Sequence, residues 1–364
     1  MPPFVFDART ANRHYPGIGR YTFELARALA AQTELTLIVN PLTAEPEMDL
    51  WALPARRVAV PATPRQPAQQ WLVPVRLRRL RAALYHSPFY LMPYWPGPPT
   101  VLTAYDVIPL TVPEGFSARQ RWLYRAAHHL AFWSARRVIT LSQAAGADFG
   151  AHFGLRPERV SVIAPGLEPR FAPSGAAVLA AFRADRGLPE RYLLFVGSPK
   201  PHKNLPALIQ ARAQLPASAP PLLIAGPEDA RFPQARQAAA GLGDQVRFLG
   251  RVPDADLPLL YAGATVYVHP ARLEGFGFPV LEALGCGAPV VCADIPVLRE
   301  LADTAAAYFD PRDPAALARA LTTVLDSPSQ QQAQRERGWH RARAFTWERA
   351  AAQTLAVYRQ ISAA

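Results

Sequence analysis

The chain has 364 residues, half of them hydrophobic, which is material for two packed cores, and it carries a formal charge of +11. Its longest uncharged stretch, around Leu84 to Tyr105, is broken by prolines and does not read as a membrane span. No RNA- or DNA-binding module, basic heptad region or zinc-finger spacing accompanies the charge, so small anions or an acidic surface are expected as partners and nucleic acid is not.

The first part alternates short strands with helical stretches, the pattern of a parallel sheet. Residues 3–7 read as a first strand, 13–20 as a loop holding Gly17 and Gly19, 21–30 as a helix and 35–39 as a second strand. Further strands are expected at 83–86, 100–104, 137–141 and 160–163, with a long helix over 119–136. At 164–175 three prolines and two glycines interrupt the pattern and mark a linker. Strands then recur at 192–196, 221–225, 246–249, 266–269 and 290–292, and the chain ends in an amphipathic helix. The expected division is 1–168, 169–345 and a final helix, 346–364, crossing back toward the first domain. Cys286 and Cys292, the only cysteines, lie in apolar sequence and read as buried thiols, as in a reducing cytoplasm; no signal peptide opens the chain. The expected location is cytoplasmic, with any membrane contact peripheral, at the inner face of the cytoplasmic membrane.

Two loops carry the chemistry. Residues 274–282 read Glu-Gly-Phe-Gly-Phe-Pro-Val-Leu-Glu, between one apolar strand and a short helix that leads to another. Backbone N–H groups and a helix N-terminus converge at such a loop, where an anion binds well. Glu274 and Glu282 flank the site. Carboxylates repel phosphate, so they are expected to reach past it to hydroxyls, which describes a sugar nucleotide. The ordinary alternative for Glu282 is an acid on the helix surface near a favourable dipole. The only two lysines, Lys200 and Lys203, share the other loop, Gly-Ser-Pro-Lys-Pro-His-Lys-Asn over 197–204. A lysine is a compact charge suited to phosphate, though surface lysines are common. Both loops follow strands, so two open α/β sheets would place the ligand at the strand C-termini, in a cleft between domains.

With these motifs in hand, the chain resembles the retaining GT-B glycosyltransferases of family 4. The resemblance rests on Glu-x7-Glu at Glu274 and Glu282 and on the 197–204 loop. It extends to Phe-Leu-Gly-Arg-Val-Pro at 248–253, Leu-Tyr-Ala-Gly-Ala at 260–264 and Arg-Phe-Ala-Pro at 170–173. It is strongest over 197–300 and weaker from Asp7 to the final helix. It implies an α/β fold of two Rossmann-like, doubly wound parallel-sheet domains. By resemblance, Glu274 holds hydroxyls of the transferred sugar, and Gly275, Phe276, Gly277 and Phe278 line the sugar and phosphate. Glu282 takes the ribose, and Lys203 the diphosphate beside Gly197. Val252 contacts the base through its backbone. Many members place arginine where this chain has Ser198, so Lys200, His202 or Arg251 would have to supply that charge.

In the first domain, Gly17 and Gly19 with Arg20 match the family's glycine loop near the donor phosphate. Read alone they lack the third glycine of a dinucleotide fingerprint, and Val39-Asn40 offers no acid to an adenosine ribose, which counts against an NAD enzyme. Relatives often carry His-Asp after a strand; here Tyr105 stands in the histidine's place and Asp106 is retained. The implied mechanism is front-face transfer with retention. It rests on electrostatic stabilisation of the leaving diphosphate and on Glu274, Lys203 and Asp106, with no metal and no cofactor. The first domain resembles bacterial mannosyltransferases of surface-polysaccharide assembly, so the expected donor is GDP-mannose, or failing that a UDP-sugar. The expected acceptor is a glycan or a lipid-linked saccharide, and the basic stretch 71–81 would touch anionic membrane. The rivals are a glycosidase using the two acids, a sugar-nucleotide epimerase of the same fold, and a non-catalytic sugar-nucleotide binder.

Overall fold

The computed structural model describes residues 2–43, 45 and 48–363. The chain forms two compact units: one takes residues up to 109, 116–166 and 345 onward, the other takes 110–115 and 167–344. The passage at 166/167 falls inside the proline- and glycine-rich stretch. The short segment 110–115 lies in the part of the sequence expected to be wholly first domain, yet it packs with the second unit.

The first unit is built on seven parallel strands: β1 (Phe4–Asp7), β2 (Leu35–Val39), β3 (Arg56–Ala59), β4 (Leu84–Ser87), β5 (Thr100–Ala104), β6 (Arg137–Thr140) and β7 (Val160–Val162). Their order in the sheet is β3-β2-β1-β4-β5-β6-β7. The second unit holds β8 (Leu193–Val196), β9 (Leu222–Ala225), β10 (Val246–Gly250), β11 (Val266–His269), β12 (Val290–Ala293) and β13 (Ala306–Phe309), all parallel, in the order β10-β9-β8-β11-β12-β13. Both orders run outward in two directions from a central pair, the doubly wound arrangement. Central strands such as β2, β5, β9 and β11 are buried along their whole length. A parallel sheet is covered on both faces, so these strands are apolar throughout instead of alternating.

The expected strands are all present. Two more, β3 and β13, were not legible in the sequence; each is the outermost strand of its sheet, and most of its residues are partly exposed. A second departure concerns residues 13–20. The helix expected to start at Tyr21 starts five residues earlier and spans Pro16–Ala30, so Gly17, Gly19 and Arg20 lie in its opening turns. Close packing is the reason. A Cβ on Gly19 would lie 2.4 Å from the Asn12 carbonyl oxygen, so the glycine lets residues 10–12 fold onto the helix.

The last helix, Trp347–Ser362, belongs to the first unit. Tyr21 of the first helix meets Trp347 edge to face, with centroids 5.8 Å apart. Tyr358 places its hydroxyl 2.6 Å from His86 Nδ1 on β4, and His86 Nε2 is 2.9 Å from Thr103 Oγ1 on β5. His86 is fully buried, and burial pushes its imidazole down to about 3, so it is neutral at ordinary pH. A neutral ring with a partner on each nitrogen is a low-cost way to bury a polar side chain. Among the described residues no helix is long and apolar enough to cross a membrane.

Candidate active site

In the second unit the winding reverses between β8 and β11: the sheet continues one way through β9 and β10, and the other through β12 and β13. The loops leaving β8 and β11 therefore part to either side of a crevice at the strand C-termini, where ligands bind in open α/β sheets. Those loops are residues 197–204, singled out by sequence, and 270–277, which carries the opening residues of the 274–282 motif, the rest of that motif lying in the helix Phe278–Gly285.

The β8 loop is set by tight backbone contacts. Gly197 N–H donates to the Ala225 carbonyl (2.9 Å) and Gly226 N–H to Gly250 (2.8 Å), so the tips of β8, β9 and β10 lie against one another. Gly226 has φ +151°, and a Cβ there would be 1.9 Å from the Gly197 oxygen. Beyond Gly197, Pro201–Lys203 form a single 3-10 turn. Asn204 ends that turn in the left-handed region, φ 55°, and its amide donates to the Pro311 carbonyl at 2.9 Å. The Arg272 N–H donates to the His202 carbonyl at 2.8 Å, which fastens the β11 loop to the β8 loop.

This places Lys203 beside Glu274 across the crevice. The Lys203 ammonium donates to Glu274 Oε1, with the two side chains 14% and 10% exposed. His269, at the end of β11 and fully buried, places Nε2 2.9 Å from the same oxygen, and its Nδ1 is 2.9 Å from the Tyr267 hydroxyl. Burial lowers the His269 pKa more than Glu274 raises it, so the ring is neutral: Nε2–H donates to Glu274 and Nδ1 accepts from Tyr267. Burial pushes the Glu274 carboxyl up, but the charge of Lys203 and the hydrogen bond from His269 outweigh it and hold the group below the usual carboxylate range. Glu274 is thus a fixed, ionised acceptor at the mouth of the sheet.

Glu282 lies in the helix Phe278–Gly285, which starts at Gly277 in the left-handed region (φ 99°). It is not a helix-surface acid: it is buried, and its Oε2 accepts from the Tyr261 hydroxyl at 2.8 Å. Burial first, then the charges of Glu282 and Glu274, push the pKa of the buried Tyr267 up, so both acids lie within electrostatic reach of its hydroxyl. Gly275, Phe276 and Gly277 are buried between them, and the rings of Phe276 and Phe278 meet edge to face at 5.2 Å.

The charge expected to replace the family arginine is narrowed by the structure. Burial, then Lys203, pushes His202 down to about 3, so it is neutral and adds no charge. Ser198 is half-buried, Lys200 and Arg251 are exposed, and Val252 is half-buried after β10. Lys200 lies near enough to Asp229, in the loop after β9, to help lower its pKa, behind the larger effect of the Arg231 hydrogen bond.

In the first unit, a Cβ on Gly17 would meet nothing within 4 Å, so that face of the helix start is open. Arg20 is half-buried in the same helix. Tyr105 turns inward: its hydroxyl donates to the Pro88 carbonyl at 2.9 Å and its ring meets Tyr21 edge to face. Asp106 Oδ1 accepts from the Ile108 N–H at 3.0 Å, and the Tyr124 hydroxyl donates to its carbonyl. The Asp106 side chain therefore caps the turn Ile108–Thr111.

Sequence reasoning missed His269, Tyr267 and Tyr261, which orient the two acids. A single histidine at a strand end has no spacing partner to reveal it. It also held that the chain offers no paired-carboxylate metal motif, whereas Asp254-Ala-Asp256 has that spacing. In the structure Arg186 Nε donates to Asp256 Oδ2 at 2.9 Å.

Comparison with known proteins bears on the family and the fold. The family model for glycosyl transferases group 1 matches residues 181–341, and that for glycosyltransferase family 4 matches 15–171. An O-antigen chain mannosyltransferase B from Escherichia coli is 31% identical over 95% of this chain and 97% of its own length. Two solved structures share the fold: sucrose-phosphate synthase from Thermosynechococcus elongatus (TM-score 0.79, 22% identity, 100% of both chains) and Anabaena HepE in complex with UDP and glucose (TM-score 0.78, 21% identity, 98% of this chain and 100% of that one). Two domain models in the right order, a full-length relative and the doubly wound pair of sheets lead to one conclusion: the chain belongs to the family 4, group 1 glycosyltransferases of GT-B fold.

Proposed function

We propose that the chain moves a hexosyl group, mannose from GDP-mannose first and a UDP-sugar second, onto a glycan or lipid-linked acceptor of a cell-surface polysaccharide. Transfer proceeds with retention and without a metal. The mannosyl assignment is supported by the Escherichia coli relative, a mannosyltransferase, and the UDP alternative by the nucleotide bound to the Anabaena neighbour. The observation that carries the reading is the Lys203–Glu274 pair set across the switch point of the second sheet.

On this reading the diphosphate lies between the β8 loop and the start of the helix Phe278–Gly285. Lys203, the loop amides and the helix N-terminus face the charge that develops as the leaving group departs, which is the largest catalytic term in most such sites. Glu274, kept ionised, accepts hydrogen bonds from sugar hydroxyls. The bond from the anomeric carbon to phosphate oxygen breaks, the acceptor oxygen bonds to the same face, and its proton passes to the leaving phosphate. Glu282 serves the ribose only if the sugar hydroxyls share it with Tyr261. Asp106 acts through the turn it caps.

The test is release of nucleoside diphosphate from GDP- and UDP-sugars in the presence of chelator, with the product anomer read by NMR. Transfer with retention in chelator supports the reading. Interconversion of the sugar without acceptor would make the chain an epimerase, and binding without turnover would make it a carrier.

A further inference from the structure

We propose that one face of the first unit docks on an anionic lipid bilayer, through a line of exposed tryptophans flanked by arginines. The helix Ala118–Ser134 has two aromatic faces. Its inner face is fully supplied: His128 stacks on Tyr90 at 4.1 Å and meets Phe132, Phe149 and Phe153. Its outer face carries Trp122 and Leu123, then Leu130 and Trp133, 66%, 48%, 41% and 65% exposed. Spacings of seven and eleven residues place these on one side of the helix. The core does not need them.

The patch continues beyond that helix. Trp95, 66% exposed, packs edge to face on Trp133 at 5.7 Å. Its neighbour Tyr94 donates its N–H to Gln70 Oε1 at 3.0 Å, and Gln70 Nε2 donates to the Met92 carbonyl at 2.9 Å. Those bonds hold the tryptophan-bearing loop on the first turn of the helix Gln69–Leu80, where Trp71 is 58% exposed. Charge selects the occupant. Segments 69–81, 88–99 and 118–136 contain Arg76, Arg78, Arg79, Arg81, Arg119, Arg121, Arg125 and Arg136 and no acidic residue. Indole rings prefer the headgroup level of a bilayer, and arginines beside them are attracted to anionic headgroups. A protein partner would need acids and a matching shape; a lipid surface needs only rings and cations on one face. The proposal does not depend on the donor reading.

The full chain is sedimented with vesicles of phosphatidylcholine alone and with phosphatidylglycerol added. We expect partitioning to the anionic vesicles to be roughly tenfold stronger and to weaken with salt. Trp122→Ser with Trp133→Ser, and separately Arg119→Glu with Arg125→Glu, each lower it by about tenfold. Donor turnover without vesicles stays within about twofold, which confirms folding. Brominated lipid quenching the tryptophans of the unaltered chain supports the proposal without any variant. Equal binding to neutral vesicles, no quenching, or concentration-dependent dimers that the tryptophan variants abolish would overturn it.

Discussion

Replacing Lys203 with methionine keeps the apolar stem and removes the charge. Glu274 is then left ionised, 10% exposed, with the His269 hydrogen bond at 2.9 Å. Removing one partner of a buried ion pair costs about 3–5 kcal/mol; the remaining histidine and the slight exposure put this case near about 3. In a unit of this size that is roughly 6–12 °C of melting temperature. Adding Glu274→Gln removes the stranded charge, so the double variant is expected to regain all but about 1 kcal/mol. The pH dependence has a definite sign. In the unaltered chain the Glu274 pKa is depressed below 4.5, so its contribution is complete above that value and is lost as the pH falls below it. In the variant, burial is unopposed by Lys203 and pushes the pKa up, so protonation relieves the strain in acid. The stability gap is therefore widest near neutral pH and narrows as the pH falls through the variant's raised value. Turnover drops by about 10²–10³ in both variants, because the cation facing the leaving group is gone in each. Thermal melts across pH together with diphosphate release measure all of this. A single variant melting with the unaltered chain, or a double variant as unstable as the single, would refute the pair as described.

Three further outcomes follow from the geometry. Ser198→Arg, in a half-buried position on the β8 loop, restores the family's second cation and raises turnover by roughly tenfold, read as initial rate at saturating donor. Gly226→Ala drives a Cβ to 1.9 Å from a backbone oxygen at φ +151° and costs at least about 3 kcal/mol, seen as a lowered melt. By contrast Gly17→Ala meets nothing within 4 Å and changes the melt by under about 1 kcal/mol. Tyr358→Phe leaves His86 Nδ1 buried without its 2.6 Å partner and costs about 1–3 kcal/mol in denaturant titration, with activity per folded molecule unchanged.

What the sequence revealed and what it hid follow the same physics. Strands buried on both faces must be apolar throughout, so β2, β8, β9, β11 and β12 were legible as runs. The outermost strands need only half of that. β3 carries Arg56 and Arg57, and β13 begins with two alanines, so neither announced itself. The start of the first helix was hidden by Gly17 and Gly19, which read as a loop because glycine is a poor helix former. The close approach to Asn12 that requires Gly19 is a tertiary fact. Glu274 and Lys203 were legible because each belongs to a local motif. That Lys203 meets Glu274, 71 residues further along the chain, and that His269 and Tyr267 fix the carboxylate, depend on β8 and β11 lying side by side.

The pairing also bears on how an acid can sit where an anion binds. With His202 and His269 neutral, Lys203 and Glu274 cancel, and the empty crevice presents little net charge at that point. On the proposed reading a diphosphate that takes Lys203 strands Glu274 unless something else satisfies it, and the hydroxyls of the transferred sugar do so. An intact sugar nucleotide therefore completes both exchanges, whereas a free nucleoside diphosphate completes one and leaves a buried carboxylate short of a donor, at about 1–3 kcal/mol. The donor is held more tightly than the product, by roughly fivefold at the low end of that range, and product release is favoured by the same residue that recognises the sugar. Calorimetry should show that preference in the unaltered chain and lose it in Glu274→Gln, which leaves no charge behind; equal affinities for donor and diphosphate in the unaltered chain would separate Glu274 from sugar recognition.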